Sequence, residues 1–323
     1  MIMKKYIVSA APHIHTEKTV SGIMTDVIIA LMPAAIFGCV MFGYKAAILI
    51  IACMASCVLA EFVFCKIVKK PSTIGDMSAV VTGLLLALYL SPEVPVYMAV
   101  IGSVFAIVIV KQVFGGLGKN FMNPALGARC FMLIAWTSAM TTFVNPLAGG
   151  GPDAISSATP LAVMKTGELA NAPTLLNAFL GFVPGTIGET SVVMILIGFI
   201  YLLIKKVITP KIPLAYILTF AVLTFFFGKN GDMSAVNYTL MQLCSGGLFL
   251  GAVFMATDYT TTPTTPVGMI IFGIGCGVLT FVIRQFGGYP EGVSFSIILM
   301  NIVAPLIEKA TIPKSFGQKG GKA

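Results

Sequence analysis

The sequence predicts an all-α polytopic membrane protein, with about ten transmembrane helices in two inverted five-helix repeats. Three observations carry that prediction. Of the 323 residues, 57% are hydrophobic and only 10% are charged, and the mean hydropathy is +0.97. The apolar residues fall in runs of membrane-spanning length. A hexapeptide recurs about half a chain length later. A soluble domain carries roughly a quarter charged residues, so this chain lacks the polar surface to coat itself in water. That excludes an ordinary soluble enzyme, a disordered chain and a secreted disulfide scaffold.

The first segment, 1–21, is polar and basic, with Lys4, Lys5 and Lys18. It has no apolar core of the kind a cleavable signal needs, and it reads as cytoplasmic. The first repeat, 22–142, holds spans at 22–43, 46–65, 78–91, 95–112 and 124–142. The third is short for a hydrocarbon core of about 30 Å, so a broken, tilted or re-entrant segment is expected there. Residues 143–189 are the longest stretch outside the membrane, rich in Gly, Pro, Ala and Thr. Ordered loops of that length are usually functional. The second repeat, 190–308, holds spans at 190–206, 212–228, 238–256, 266–284 and 292–308. A basic tail, 309–323, closes the chain and reads as cytoplasmic.

Charge sets the orientation. With the N-terminus inside, fifteen of the 20 Lys and Arg residues fall in inner segments and four (Lys45, Lys165, Lys229, Arg284) in outer ones. Arg129 is left inside the fifth span. Such a bias places both termini in the cytoplasm and the 143–189 loop outside. It also accounts for the net charge of +8, which in a soluble chain would suggest nucleic acid; no nucleic-acid partner is expected.

The repeat is Gly75-Asp76-Met77-Ser78-Ala79-Val80, which returns as Gly231-Asp232-Met233-Ser234-Ala235-Val236. Lys111-Gln112-Val113-Phe114-Gly115-Gly116 is echoed by Arg284-Gln285-Phe286-Gly287-Gly288. Under the charge-derived topology the two hexapeptides lie on opposite sides, which makes the halves inverted. A chance recurrence of a common helix-start pattern is the alternative.

The outer loop contains Asp153-Ala154-Ile155-Ser156-Ser157-Ala158-Thr159-Pro160-Leu161. Thr159 reads as an N-cap with Pro160 at the first helical position. A phosphate esterified to the same hydroxyl would also meet free N–H groups and a positive helix end. Elsewhere, Asp26, Glu61, Asp76, Asp232 and Asp258 lie within or at the edge of spans, where a carboxylate is a candidate for an ion pathway. Structural alternatives are a first-turn position for Asp26 and pairing with Lys66 for Glu61. The hydroxyl-rich run Thr257–Pro266 is either a turn-rich connector or a second binding segment. His13 and His15 form the only H-x-H and lack a third ligand, so no metal site is expected. The seven cysteines include no C-x-x-C, and Cys53 and Cys57, one helical turn apart, read as small apolar core residues.

Asp-x-x-Ser-Ser-Ala-Thr resembles the signature on which a flavin transferase esterifies FMN to threonine in the RnfD/NqrB family of redox-driven ion pumps. Ala11-Pro12-His13-Ile14-His15, Ile23–Ala34 and Asn123-Pro124-Ala125-Leu126-Gly127-Ala128-Arg129 are similar to other family segments, so the resemblance covers nearly the whole chain. The absence of the long N-terminal extension of NqrB makes RnfD the nearer branch. The resemblance implies a urea-transporter-like fold. It implies covalent FMN at Thr159, with Asp153, Ser156, Ser157 and Ala158 as the attachment motif; Ser157 stands where many members have Gly. It implies a non-covalent riboflavin as a further cofactor, for which Asn123 and Arg129 are candidate lining residues. The implied function is a cell-membrane flavoprotein subunit coupling electron transfer between ferredoxin and NAD⁺ to Na⁺ or H⁺ translocation. Its implied partners are other Rnf subunits, including a second FMN-bearing subunit and Fe–S subunits. This chain has no Rossmann fingerprint and no Fe–S cysteine set, so NAD and ferredoxin would be handled by those partners. The alternatives are an NqrB-type subunit of a Na⁺-translocating NADH:quinone reductase, or a flavin-free solute channel or carrier on the same fold.

Overall fold

The computed structural model describes residues 18–146, 157–167, 173–229, 231 and 233–313. Among them every regular element is helical. Helix α1 (Val20–Phe42) is capped by Thr19, whose hydroxyl accepts from the Gly22 amide. It turns at Gly43 directly into α2 (Tyr44–Val68). The first half continues with α3 (Ser78–Leu88), α4 (Val96–Phe105), α5 (Pro124–Ala135) and the single turn α6 (Thr137–Thr141). The loop region holds α7 (Pro160–Thr166) and α8 (Leu175–Leu180). The second half comprises α9 (Val192–Ile204), α10 (Lys211–Phe227), α11 (Ala235–Cys244), α12 (Leu248–Leu250), α13 (Pro266–Phe286) and α14 (Val293–Thr311). Helices α4 and α12 each widen into i→i+5 hydrogen bonding, over Ala106–Gln112 and Gly251–Met255, the kind of local widening often found at functional sites.

Each predicted span coincides with an apolar helix, but length alone admits fewer crossings than ten. Helices α1, α2, α13 and α14 are long and apolar enough to cross a membrane. The pair α11 and α12 with its widened turn passes as a fifth, bent by 61°. The other five are apolar helices of 10–17 residues. The predicted fifth span is interrupted at Trp136, whose backbone leaves the helix between α5 and α6.

The short third span shows why a helix can stop inside such a protein. At 11 residues α3 rises only about 16 Å, and it is buried nearly all round. Its last carbonyls need partners in a dry interior. The turn before α9 supplies them: the Ile187 amide donates to Leu90 O at 3.0 Å and the Gly188 amide to Leu88 O at 2.8 Å. Close helix approach relies on missing side chains. A Cβ on Gly273 or Gly277 of α13 would lie 2.8–2.9 Å from backbone oxygens of α10, a small-xxx-small contact of the membrane type. Outside, Val40, Ile67, Ile204, Phe226 and Phe286 are each at least 70% exposed, an apolar surface suited to lipid. The loop helices α7 and α8 are docked rather than free, with Leu161, Met164, Ala178 and Val183 packed on Tyr238 and Met241 of α11.

Candidate functional site

Two cavities flank α5. The first is lined by Lys111, Asn120, Asn123, Asp258 and Thr260, with apolar walls from α1, α3 and Phe254. Its polar groups are tied to one another. The Lys111 ammonium is buried and donates to Glu61 Oε2 at 2.9 Å and Ser78 Oγ at 2.6 Å. Glu61 is fully buried and also accepts from Gln112 at 2.9 Å and from the Thr73 hydroxyl. Ser78 donates to Asp76 Oδ1 from both its amide and its hydroxyl. Asp258 accepts from the Thr260 and Thr261 hydroxyls at 3.1 and 3.2 Å. Burial raises the Asp258 pKa above the ordinary carboxylate value, and those hydroxyls offset part of the rise.

The second cavity is lined by Thr159, Arg129, Glu189 and Glu291 among others. Thr159 caps α7: its hydroxyl accepts from the Ala162 amide at 3.3 Å, and Pro160 follows it. Arg129 is buried and stacks 4.5 Å from the Tyr89 ring centroid. It donates to Tyr89 O at 3.4 Å, to Ser294 Oγ at 2.5 Å and to the Glu291 carboxylate. Arg284, also buried, wraps the end of α11 by donating to Gln242 O, Ser245 O and Gly246 O at 2.6, 3.1 and 2.7 Å, a cation placed on terminal helix carbonyls. Four buried polar atoms of the cavity wall have no hydrogen-bond partner: Glu189 Oε2, Thr190 Oγ, Ser245 Oγ and Glu291 Oε1. At the rim Lys165 donates to Gly287 O and Tyr289 O, at 2.5 and 2.9 Å. Partial loss of solvent lowers its pKa.

A model of the NQR2, RnfD, RnfE family matches residues 7–317. The chain belongs to that family. It is an RnfD-type chain: it is 47% identical over 313 residues to the D component of the Na⁺-translocating ferredoxin:NAD⁺ oxidoreductase complex of Acetobacterium woodii, covering 96% of this chain and 95% of that one. It is 43% identical to the D component of the proton-translocating ferredoxin:NAD⁺ oxidoreductase complex of Clostridium ljungdahlii, covering 97% of each. It is 39% identical to the D component of the ion-translocating oxidoreductase complex of Stutzerimonas stutzeri, covering 94% and 93%. Such components are parts of a membrane translocase, and the apolar helices described above agree with that setting.

On this RnfD-type scaffold the residues singled out from sequence divide between the cavities. Asn123 and Arg129 do not meet. Asn123 caps the start of α5, accepting from the Ala125 and Leu126 amides, and faces the first cavity. Arg129 belongs to the second. Glu61 and Asp76 stand one hydrogen bond behind the first cavity, through Lys111 and Ser78, and Asp258 lines it. Glu61 pairs with Lys111 rather than with Lys66, which sits 5.9 Å over the Phe62 ring. Asp26 is not in the first turn of α1; it accepts from the Tyr201 hydroxyl of α9 at 2.8 Å. Ser157 and Ala158 lead into Thr159, and the Ser157 amide donates to Phe143 O at 3.0 Å. Asp153, Ser156, Asp232, His13 and His15 lie outside the described residues. Sequence reasoning missed Glu189 and Glu291. Each abuts a glycine at the start of a span, and that adjacency was the available signal.

Proposed function

We propose that this chain is the RnfD-type subunit of an ion-translocating ferredoxin:NAD⁺ oxidoreductase and carries FMN esterified to Thr159. The match to RnfD-type proteins along nearly the whole chain carries the assignment to the complex. The place of Thr159 in the lining of the second cavity supports the cofactor. The residues present fit the group. Leu133, Phe143, Leu161 and Val183 offer apolar walls. When bound, the flavin supplies reversible uptake of electrons. Arg129 lines the same cavity, and its positive charge would stabilise negative charge added to a bound flavin in a low-dielectric site. Electrons would come from Fe–S partners and a second FMN-bearing subunit. The first cavity is the place this reading assigns to a non-covalent riboflavin, with the Asn123 and Asn120 side chains as polar lining.

The same reading makes the fold two inverted halves in the cell membrane, with both termini cytoplasmic and the Thr159 loop outside. The charge bias supports it. So does the meeting of the two helices that follow the repeated hexapeptide: the Tyr89 hydroxyl, just past α3, donates to Gly247 O, just past α11, at 2.8 Å. Lys111 and Arg284 are buried side chains, so they count little toward loop charge; one leaves each side of the tally and the bias stands. The decisive experiment is ultraviolet fluorescence of this subunit after denaturing electrophoresis, with mass spectrometry of the peptide containing Thr159. A fluorescent band carrying the FMN mass, lost in Thr159→Ala, is expected. A dark band in the native complex would leave a flavin-free carrier on the same scaffold.

A further inference from the structure

Glu189 and Glu291 come from connectors 102 residues apart in sequence, yet their carboxylates converge beside Gly247. A Cβ placed on Gly247 would lie 2.7 Å from Glu189 Oε2, 2.8 Å from the Tyr89 hydroxyl and 2.9 Å from Glu291 Oε1. The two carboxylate oxygens are therefore within about 5.6 Å of each other, the sum of their distances to that point. The other oxygen of each is already occupied. Glu189 Oε1 accepts from the Thr186 amide at 3.2 Å and Glu291 Oε2 from Arg129. The facing oxygens have no partner, and Glu189 is only 8% exposed. Two further groups point the same way: the Ser245 and Thr190 hydroxyls, 3% and 2% exposed, line the same cavity unpartnered. Buried oxygens left facing one another without a donor are costly, and a bound positive species removes that cost.

We infer that Glu189 and Glu291 together hold one monovalent cation, a proton or a sodium ion, at the floor of the Thr159 cavity. This rests on the flavin reading above and adds to it the group that binds the translocated ion. The charged and titratable groups facing the pair are Arg129 from α5, Arg284 from α13 and Tyr89 after α3. With both carboxylates ionised, the two arginines make the cluster neutral. One added cation then compensates one electron delivered to the cavity above by the Fe–S donor of the complex, so neither charge is left unbalanced in the low-dielectric interior.

The test uses the intact complex in proteoliposomes, driven by reduced ferredoxin and NAD⁺. Ions moved per electron are read with radioactive sodium and a pH-sensitive dye, and turnover is titrated with Na⁺ and with pH. Glu189→Gln and Glu291→Gln are expected to lower ions per electron about tenfold while the flavin band persists. If sodium is the ligand, the Na⁺ concentration for half-maximal turnover rises about tenfold; if the proton is, the pH profile shifts and Na⁺ has no effect. Glu93→Gln, at the surface pair with Lys45, should behave as wild type. Should either Gln variant fail to assemble, Glu189→Asp and Glu291→Asp keep the charge and are expected to retain coupling with a shifted Na⁺ or pH dependence. Unchanged ion stoichiometry, Na⁺ dependence and pH dependence in the assembled variants overturns the inference. A dark flavin band in the wild-type complex instead overturns the cofactor reading, and the titrations still report on the carboxylate pair.

Discussion

The two cavities on either side of α5 differ in how their charges are used. In the first, Lys111 is committed to Glu61 and Ser78, and Asp258 to two threonine hydroxyls. Apart from Asn120 Oδ1, its polar lining is closed on itself. In the second, Arg284, which the repeated motif places in correspondence with Lys111, spends its donors on backbone carbonyls. Glu189 and Glu291 each keep one buried oxygen without a partner. A closed cluster stiffens a scaffold. An open one retains capacity for a ligand. The same motif position thus serves structure in one half and leaves binding capacity in the other.

Breaking the closed cluster should produce the largest effect. Lys111→Met strands Glu61 as an unpaired buried charge, with an expected loss of about 3–5 kcal/mol. The double variant Lys111→Met/Glu61→Leu removes both charges and should recover most of that loss. Melting temperature and yield of the assembled complex measure both. If the double variant were as unstable as the single one, the cluster would be binding something rather than closing on itself. Arg284→Lys tests the other half. A lysine cannot reproduce a planar fork over three carbonyls, so about 2–3 kcal/mol is expected from the lost charged hydrogen bonds. Because Gly246 and Gly247 sit at that helix end, the same variant should also loosen the wall bearing Ser245.

Much of this arrangement was readable in advance, and the rest was hidden for a definite reason. Hydropathy located each apolar helix, because an apolar run is a local property. Cap chemistry at Thr159 and the shortness of the third span were local too, and both hold. Pairing was not. Lys66 is five residues from Glu61, yet the partner is Lys111, 50 residues away. Arg129 finds Glu291 across 162 residues. Arg284 counted as a loop charge although it is buried. Glu189 and Glu291 stand beside spans, where carboxylates ordinarily face water. Only the fold, by carrying the connectors before α9 and α14 down to Tyr89 and Gly247, brings them together.

The smallest expected effect concerns pH and the first cavity. Burial raises the pKa of Asp258, so the folded protein holds this proton more tightly than the unfolded chain does. Its contribution is then most favourable at low pH and is lost as pH rises from the ordinary carboxylate value through the raised one. Asp258→Asn removes the titration while keeping an oxygen for the Thr260 and Thr261 hydroxyls. The variant should therefore match wild type below the ordinary carboxylate pKa and gain melting temperature relative to it as pH rises from that value through the raised one. A difference of the opposite sign would mean that the hydroxyls favour the ionised carboxylate more than burial disfavours it. The contrast with the second cavity would then narrow.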